Sequence, residues 1–299
     1  MMKLIIPATT SNIGPGFDCL GIALTLYNTI EVEEVGEGIG IEISGLGKDF
    51  IPTDDSNLVY RSMLKCFQKV GYRPRGLSIR LHNEIPIARG LGSSAASIVG
   101  GIVAANNLSG GHLNREELLE LAVEMEGHPD DVGPALFGGL VVSNRDDVGV
   151  HYVQTPISNR IEFMAAIPDR TLSTEKARAA LPDRVSFGDA IFNVGKASLL
   201  TAALIKGDMG AIVSGLEDRL HEPYRIKLID SLEALYLDLG KHGLNNVFLS
   251  GAGPTVIMLS EKGRKADEEL FRKVVQGHGD GWEIKVLEGD NKGIRVLYD

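Results

Sequence analysis

Residues 86–97 read PIARGLGSSAAS, a glycine- and serine-rich loop that runs directly into a long apolar segment. Gly90 and Gly92 lack a Cβ atom, so the backbone here can adopt positive φ angles and lie close to a ligand. Residues 95–106 are almost entirely Ala, Ile, Val and Gly, and they are predicted to form a helix. Such a helix directs its unpaired N–H groups and the positive end of its dipole into the loop. The stretch therefore predicts a phosphate-binding loop.

Other interpretations of this loop meet specific objections. Residues 90–95 satisfy the loose G-x-G-x-x-A pattern of dinucleotide-binding proteins, but that site also needs a βαβ unit. Here a second helical segment, residues 115–126, takes the place of the expected strand. The Walker A pattern fails because the loop contains no Gly-Lys-Ser/Thr sequence. A tight strand-to-helix turn, with small residues for close packing, stays open as a purely structural alternative.

Composition restricts the class of protein. The 299 residues include 30 basic and 40 acidic side chains, and 43% are hydrophobic, which indicates one large or two ordinary domains. A net charge of −10 without long like-charge blocks argues against nucleic acid as a partner. Two cysteines, Cys19 and Cys66, give no support to a disulfide framework. No segment is apolar for long enough to be a signal peptide or membrane span, so we expect a cytoplasmic protein without membrane contact.

The predicted elements divide the chain near residue 158. Residues 1–157 show an α+β order, with the phosphate loop between a strand and two helices. Residues 158–299 have strands at their ends and helices between them, which predicts a sheet with helices on one face. Strands are predicted at residues 3–8, 21–35, 39–44, 77–81, 137–143, 161–167, 246–250, 255–260, 282–287 and 293–298. Helices are predicted at residues 58–70, 95–106, 115–126, 173–178, 187–206, 209–220, 227–241 and 265–276.

A polar loop follows the first predicted strand. Residues 7–21 read PATTSNIGPGFDCLG, and Asn12 and Asp18 are the notable polar side chains. Loops of this composition carry function or sharp turns. Local turn hydrogen bonds therefore remain the alternative role for both side chains.

An acidic cluster follows the helix predicted at residues 115–126. Glu126, Asp130 and Asp131 place three carboxylates within six positions. Carboxylates, together with a serine hydroxyl and phosphate oxygens, are the ligands that Mg²⁺ prefers. A solvated acidic turn is the alternative. His128 receives no ligand role, because the seven histidines show no metal-ligand spacing.

Three glycine-bearing segments, taken together, resemble the motifs of the GHMP kinases, the superfamily of galactokinase, homoserine kinase, mevalonate kinase and phosphomevalonate kinase. They are PATTSNIGPGFD at residues 7–18, GLGSSAA at 90–96 and SGAGPT at 250–255. Within the superfamily, the homoserine kinases are the most similar. The segments that carry this closer resemblance are GFDCLG at 16–21, EGHPD at 126–130, STEKAR at 173–178 and EPYR at 222–225. The resemblance covers essentially the whole chain.

The resemblance implies ATP- and Mg²⁺-dependent phosphorylation of the L-homoserine hydroxyl on the route to threonine. It also implies an N-terminal ATP-binding α+β domain at residues 1–157 and a C-terminal ferredoxin-like α+β domain at residues 158–299, with the active site in the cleft between them. A homodimer is a further expectation that the resemblance carries. The residues expected around the nucleotide are Asn57, Pro86, Ile87, Ala88, Arg89, Gly90, Leu91, Gly92, Ser93, Ser94, Ala95 and Ala96. Mg²⁺ is expected at Ser94 and Glu126.

The resemblance also places the amino-acid substrate. Its ammonium is expected at Asn12 and Asp18 and its carboxylate at Arg178 and Arg225, with Thr174 and Gly253 beside them. This division agrees with the chemistry of a zwitterion, which needs an anion for its amine and a guanidinium for its carboxylate. Surface ion pairs are the alternative role for both arginines. Arg219 could also replace Arg225.

One position departs from the family pattern. Homoserine kinases usually read EGHPDN, whereas this chain has Asp131 in the final position. The expected catalytic residues are Asp131, Ser94 and Glu126, and we hypothesise that Asp131 accepts the proton of the substrate hydroxyl. A harmless exchange of Asn for Asp is the alternative, because phosphoryl transfer depends mostly on positioning and charge neutralisation.

Two other functions stay open on the sequence. The chain could be another GHMP kinase acting on an alcohol such as mevalonate, although Asp18 and Arg178 together favour an amino acid. It could also bind ATP without catalysis. The presence of Ser94 and Glu126 beside an intact phosphate loop argues against this second alternative.

Overall fold

The computed structural model describes residues 1–279 and 281–298, and their strands form two sheets. The strands are β1 (Met2–Ser11), β2 (Leu20–Glu34), β3 (Gly38–Gly45), β4 (Gly76–Asn83), β5 (Leu140–Arg145), β6 (Val150–Thr155), β7 (Ile161–Pro168), β8 (Val247–Leu249), β9 (Val256–Glu261), β10 (Trp282–Glu288) and β11 (Arg295–Tyr298).

The helices pack mainly against these sheets. They are α1 (Leu58–Val70), α2 (Ser93–Leu108), α3 (Arg115–Glu126), α4 (Pro129–Phe137), α5 (Thr174–Ala179), α6 (Phe187–Lys206), α7 (Met209–Gly215), α8 (Glu222–Arg225), α9 (Asp230–Lys241) and α10 (Lys265–Gln276). Within the described residues, no helix combines the length and apolar character needed to cross a membrane.

Strand β2 organises the larger sheet. It pairs antiparallel with β1 and β4 and, at its beginning, with β5. Strand β3 lies parallel to β4, β6 pairs with β5, and β11 pairs with β1. From Leu24 to Val32, buried residues alternate with more exposed ones, as expected for a strand that faces a core on one side.

Helix α2 is the centre of the helical layer that covers this sheet. Eleven of its 16 residues are buried, as is typical of a helix that is apolar on all sides. Helix α1 packs closely against it at Gly101, where a Cβ atom would collide with the Val59 carbonyl oxygen. The N-terminus of α2, which follows the phosphate loop, is therefore held in place by the core.

The smaller sheet has the order β10-β7-β9-β8 and is antiparallel throughout. Its elements follow one another as βαββαβ, the ferredoxin-like arrangement, with additional helices before α9. Helix α9 contributes Leu232, Leu235 and Leu239 to its core, and α10 contributes Phe271 and Val275. The prediction of two α+β units, the second of them ferredoxin-like, is confirmed.

Several predicted elements need correction. The strand expected at residues 137–143 begins only at Leu140, because residues up to Phe137 belong to α4. Pro129 at the helix start and two acidic residues in the first turn favour this helix. The helix expected over residues 209–220 ends at Gly215, and β6 was not among the predicted strands.

The last strand also lies in an unexpected sheet. β11 follows the ferredoxin-like elements in sequence but pairs with β1, in the register Met2 with Tyr298 and Ile5 with Arg295. The end of the chain therefore returns to the N-terminal sheet. The domain bounds of 1–157 and 158–299 stay a prediction.

The contact between α1 and α2 predicts the effect of a single methyl group. Gly101→Ala should lower the free energy of unfolding by about 1–3 kcal/mol, because the added Cβ meets backbone that cannot move easily. Gly240→Ala, in α9, is the matched control. Apart from its chain neighbours and the backbone of its own helix, no described atom lies within 4 Å of a Cβ at Gly240, so this change should raise stability by about 0.5–1 kcal/mol. Urea denaturation measures the free energy of unfolding of both variants. Equal changes in the two variants would contradict the packing assigned to α2.

Candidate active site

A pocket of about 340 Å³ opens where the phosphate loop meets residues of the ferredoxin-like half. Both halves of the chain contribute to its wall. The predicted site residues that line it are Asn12, Pro86, Ile87, Ala88, Arg89, Gly90, Leu91, Gly92, Ser93, Ser94, Glu126, Asp131, Thr174, Arg178, Arg225 and Gly253. The structure thus brings together side chains that are far apart in sequence.

The phosphate loop has the backbone geometry that its glycines predict. Gly90 and Gly92 have φ angles of 74° and 69°. A Cβ atom at Gly90 would collide with the Ser250 carbonyl oxygen, and one at Gly92 with Thr9 Oγ1. Gly92 is the N-cap of α2 and has no side chain to occupy the first N–H groups of the helix. These donors can therefore bind an anion.

Arg89 ties this loop to the ferredoxin-like half. Its guanidinium donates to the carbonyl oxygens of Pro168 and Asp169, both at 2.7 Å, and of Ile87 at 3.0 Å. On the other side of the loop, the Thr9 amide donates to the Leu91 carbonyl oxygen at 3.2 Å. The position of the loop therefore depends on contacts with both halves of the chain.

Ser94 and Glu126 form a pair at the beginning of α2. The Ser94 hydroxyl donates to Glu126 Oε2 at 2.8 Å. Burial raises the pKa of Glu126, and the hydrogen bond from Ser94 opposes that shift. The pair offers a hydroxyl and a carboxylate, both hard oxygen donors of the kind that Mg²⁺ selects.

Asp131 is held by two hydroxyl groups from β1. Thr9 Oγ1 donates to Asp131 Oδ1 at 2.5 Å, and Ser11 Oγ donates to Oδ2 at 2.9 Å. Burial, followed by the charge of Asp130, raises the pKa of Asp131 to about 7. The hydroxyls fix the orientation of a carboxylate whose pKa suits proton transfer near neutral pH. Thr9 and Ser11 lie in the PATTSN motif, but the sequence alone predicted no role for either residue.

His128, which received no role from the sequence, also lines the pocket. Its Nδ1 lies 2.6 Å from Asp130 Oδ1. Burial alone would lower the pKa of His128, but the hydrogen bond and charge of Asp130, together with Asp131 and Glu126, raise it to about 9. The His128, Asp130 and Asp131 donors lie within 4.8 Å of one another. Because Mg²⁺ prefers oxygen ligands to an imidazole nitrogen, the oxygen pair of Ser94 and Glu126 fits Mg²⁺ better.

Arg178, in the wall of the pocket, forms a bidentate ion pair with Asp18, which lies outside that wall. The two guanidinium nitrogens lie 2.9 and 2.8 Å from Asp18 Oδ2 and Oδ1. Asn12 supports this arrangement, because its Oδ1 accepts from the Asp18 amide at 2.8 Å. Both Asn12 and Asp18 have positive φ angles, 56° and 54°, which are uncommon outside glycine and occur at functional turns.

Arg225 is almost completely buried, at 1% exposure, behind this ion pair. Its Nη1 donates to the Gly251 carbonyl oxygen at 3.1 Å, and burial lowers its pKa. The Phe17 ring lies 4.9 Å from the Arg225 guanidinium and 5.4 Å from that of Arg178, and it stacks on His221. The aromatic ring thus orients both guanidinium groups through cation–π contacts.

Other predicted residues, Asp18 among them, lie outside the wall of the pocket. Asn57 caps α1, accepting from the amides of Val59 and Tyr60, while Ala95 and Ala96 are buried in α2. Arg219, the alternative to Arg225, stacks on Phe192 at 3.6 Å. An adenine contact of Asn57 therefore stays a prediction.

Comparison with known proteins agrees with this geometry. Residues 57–139 match the GHMP kinases N terminal domain, and residues 200–276 match the GHMP kinases C terminal family. The chain is 47% identical over 296 residues to a homoserine kinase of Clostridium botulinum (strain Langeland), covering 99% of this chain and 98% of the relative. The chain belongs to the homoserine kinases of the GHMP kinase family.

Other homoserine kinases show the same similarity. The homoserine kinase of Caldicellulosiruptor bescii is 45% identical over 302 residues, covering 99% of this chain and 97% of the relative. The crystal structure of homoserine kinase from Cytophaga hutchinsonii superposes with a TM-score of 0.88 at 28% identity, over 99% of this chain and 97% of that one. Membership in the homoserine kinases makes this chain an ATP-dependent kinase that acts on an alcohol group.

The His128–Asp130 contact predicts a measurable titration. In an NMR titration, the His128 imidazole should lose its proton at a pH of about 9. Asp130→Asn removes the dominant negative partner while burial persists, so the pKa of His128 should fall towards or below the ordinary 6.5. His128→Gln assigns the resonance. An unchanged titration in Asp130→Asn would show that Asp130 does not control the charge of His128.

Proposed function

We propose that this chain transfers the γ-phosphoryl group of ATP to the side-chain hydroxyl of L-homoserine, giving O-phospho-L-homoserine in threonine biosynthesis. The observation that carries the proposal is a pocket that combines an anion-binding loop with two guanidinium groups, one of which pairs with a carboxylate outside the pocket wall. Arg178 and Arg225 supply the guanidinium groups, and Asp18 supplies that carboxylate. These are the charges that ATP and a zwitterionic amino acid require.

The nucleotide phosphates bind, in this proposal, at residues 86–96. The free N–H groups at the start of α2 and the positive end of the helix dipole stabilise the phosphate charge. Ser94 and Glu126 would hold Mg²⁺, which would neutralise the negative charge that develops on the phosphate oxygens. Asn57 lies near the adenine.

The amino acid binds between Asp18 and the two arginines. Its ammonium contacts Asn12 and Asp18, and its carboxylate contacts Arg178 and Arg225, with Thr174 and Gly253 at the wall. A zwitterion in this position replaces the direct Asp18–Arg178 ion pair with two ion pairs. An alcohol without these charges would leave Asp18 and the arginines without new partners, which disfavours it as a substrate.

Asp131 acts as the general base. Its carboxylate accepts the proton of the substrate hydroxyl as the hydroxyl oxygen bonds to the γ-phosphorus. The bond between that phosphorus and the β–γ bridging oxygen breaks, and ADP leaves with the electron pair. Thr9 and Ser11 hold the carboxylate in one orientation during this step. Most of the rate enhancement comes from positioning the reactants and neutralising the charge of the transition state, and the base increases the rate further.

Asp131→Asn tests the base directly. The amide still accepts from Thr9 and can donate to Ser11, so the pocket should keep its shape while the proton acceptor is lost. We expect kcat to fall about 100-fold with little change in KM. In the wild type, kcat should rise as the pH increases through about 7, where Asp131 loses its proton, and this rise should disappear in the variant. Undiminished kcat in Asp131→Asn would remove the base role.

Arg178→Ala tests the carboxylate site, with Arg219→Ala as the matched control. The first change should raise KM for L-homoserine about 10- to 100-fold, because a charge-assisted bidentate contact is lost. KM for ATP should stay the same. The Arg219 guanidinium is similarly exposed, at 45%, but lies against Phe192, so its removal should leave both KM values unchanged. Equal effects of the two variants in steady-state kinetics would contradict the proposed site.

A further inference from the structure

His221 is a buried side chain to which the proposed reaction assigns no role. It lies directly before α8 and is 0% exposed. Its Nε2 lies 2.7 Å from the Gly14 carbonyl oxygen, and its Nδ1 lies 3.5 Å from Arg225 Nη1. Its ring also stacks on Phe17, with the ring centroids 5.2 Å apart. His221 thus contacts both the loop that follows β1 and an arginine proposed to bind the substrate carboxylate.

The two hydrogen-bonding partners of His221 require different states of its two nitrogens. A carbonyl oxygen can only accept a hydrogen bond, and a guanidinium can only donate one. The Gly14 carbonyl therefore requires a proton on Nε2, and Arg225 requires a lone pair on Nδ1. Burial lowers the pKa of His221, and Arg225 lowers it further, whereas Asp218 and Asp18 oppose this effect. The imidazole is therefore neutral at pH 7, in the tautomer that carries its proton on Nε2.

Asp218 fixes the segment that presents His221. Its Oδ2 accepts from the amides of His221 and Glu222, both at 2.8 Å. Its Oδ1 accepts from the Leu220 amide at 3.0 Å and from Asn193 Nδ2 at 2.6 Å. Four donors thus surround one buried carboxylate, as a buried charge requires. The C-terminal half therefore holds the backbone of His221 in place without help from the N-terminal half.

The loop of residues 12–19, between β1 and β2, lies directly against this segment. A Cβ atom at Gly14 would collide with the Leu216 carbonyl oxygen. The two residues proposed to bind the substrate ammonium, Asn12 and Asp18, lie on either side of Gly14 in this loop. The hydrogen bond from His221 to Gly14 therefore fixes the part of the loop between them.

Arg225 depends on uncharged groups for its orientation. Within residues 1–279 and 281–298, no carboxylate forms an ion pair with its guanidinium, which donates to the carbonyl oxygens of Gly251 at 3.1 Å and Ala177 at 3.4 Å. The Phe17 ring lies against it at 4.9 Å. A buried charge without an ionic partner is held by whatever acceptors surround it. His221 supplies one such acceptor and also supports the Phe17 ring.

We propose that His221 is a positioning residue for the amino-acid substrate. Its imidazole joins the loop that carries Asn12 and Asp18 to Arg225, and so fixes the separation between the ammonium site and the carboxylate site. The inference rests on the proposed function, because it concerns the amino-acid site of that reaction. His221 lies outside the wall of the pocket, so it acts through its neighbours and affects binding of the amino acid without affecting ATP.

His221→Leu and His221→Gln form a matched pair that tests this role. Both substitutions remove the ring, but Gln keeps a donor for the Gly14 carbonyl and an acceptor for Arg225, whereas Leu has neither. We expect His221→Leu to raise KM for L-homoserine about 10-fold, because a buried carbonyl and a guanidinium lose their partner. KM should stay within about 3-fold of wild type in His221→Gln. In steady-state kinetics, kcat and KM for ATP should change little in either variant.

Phe271→Leu, in the core of the ferredoxin-like half, controls for a general loss of stability. It removes buried packing far in sequence from the loop and should leave KM for L-homoserine unchanged. Wild-type KM in His221→Leu would overturn the proposal, as would equal increases in the Leu and Gln variants or an increase in Phe271→Leu. A wild type that does not turn over L-homoserine would instead overturn the proposed function, and this inference with it.

A spectroscopic test does not depend on the stability of His221→Leu. In ¹⁵N NMR of the histidine-labelled wild type at pH 8, Nε2 of His221 should resonate as a protonated nitrogen and Nδ1 as an unprotonated one. Loss of the resonances in His221→Gln assigns them. A ring protonated on Nδ1 at this pH would contradict the two contacts and overturn the proposal.

Discussion

The fixed N-terminus of α2 is the constraint on which the rest of the site depends. Its free N–H groups and dipole can stabilise phosphate only if the helix end stays in place and excludes competing side chains. The core fixes the helix, since 11 of its 16 residues are buried. Gly90 and Gly92 then allow the loop to lie against Ser250 and Thr9 without collision. Packing in the N-terminal half thus determines where the phosphates can bind.

The second half of the chain completes the site through polar contacts with this loop. Arg89 reaches the end of β7, and Ser250 Oγ donates to the Gly90 carbonyl oxygen. The same half positions Arg225, which is buried against Phe17 of the N-terminal half. The proposed amino-acid site therefore takes residues from both halves, and neither half contains it alone. Such a division would place a small polar substrate beside the phosphate loop, while core packing maintains the geometry of the loop.

Local signals in the sequence predicted much of the fold. The bounds of α1 and α3 follow from the caps at Asn57 and Asn114 and from the hydrophobic periodicity of the two helices. Both signals depend only on residues that are near in sequence. The pairing of β11 with β1 spans the whole chain and has no local signal. Prediction of the site is limited in the same way. The motifs marked Asp131 as a candidate, but the Thr9 and Ser11 hydroxyls that hold it are 122 and 120 positions away in sequence. Folding alone brings these groups together.

The central claim is that one pocket binds ATP beside a site for a zwitterionic alcohol. A coupled ADP-release assay with MgATP and separate additions of L-homoserine, L-serine, L-threonine, mevalonate and shikimate tests it most directly. The account predicts rapid ADP release with L-homoserine and little with the two alcohols that lack an amino-acid group. Rapid turnover of mevalonate or shikimate without turnover of L-homoserine would contradict the assignment of Asp18, Arg178 and Arg225 to the substrate.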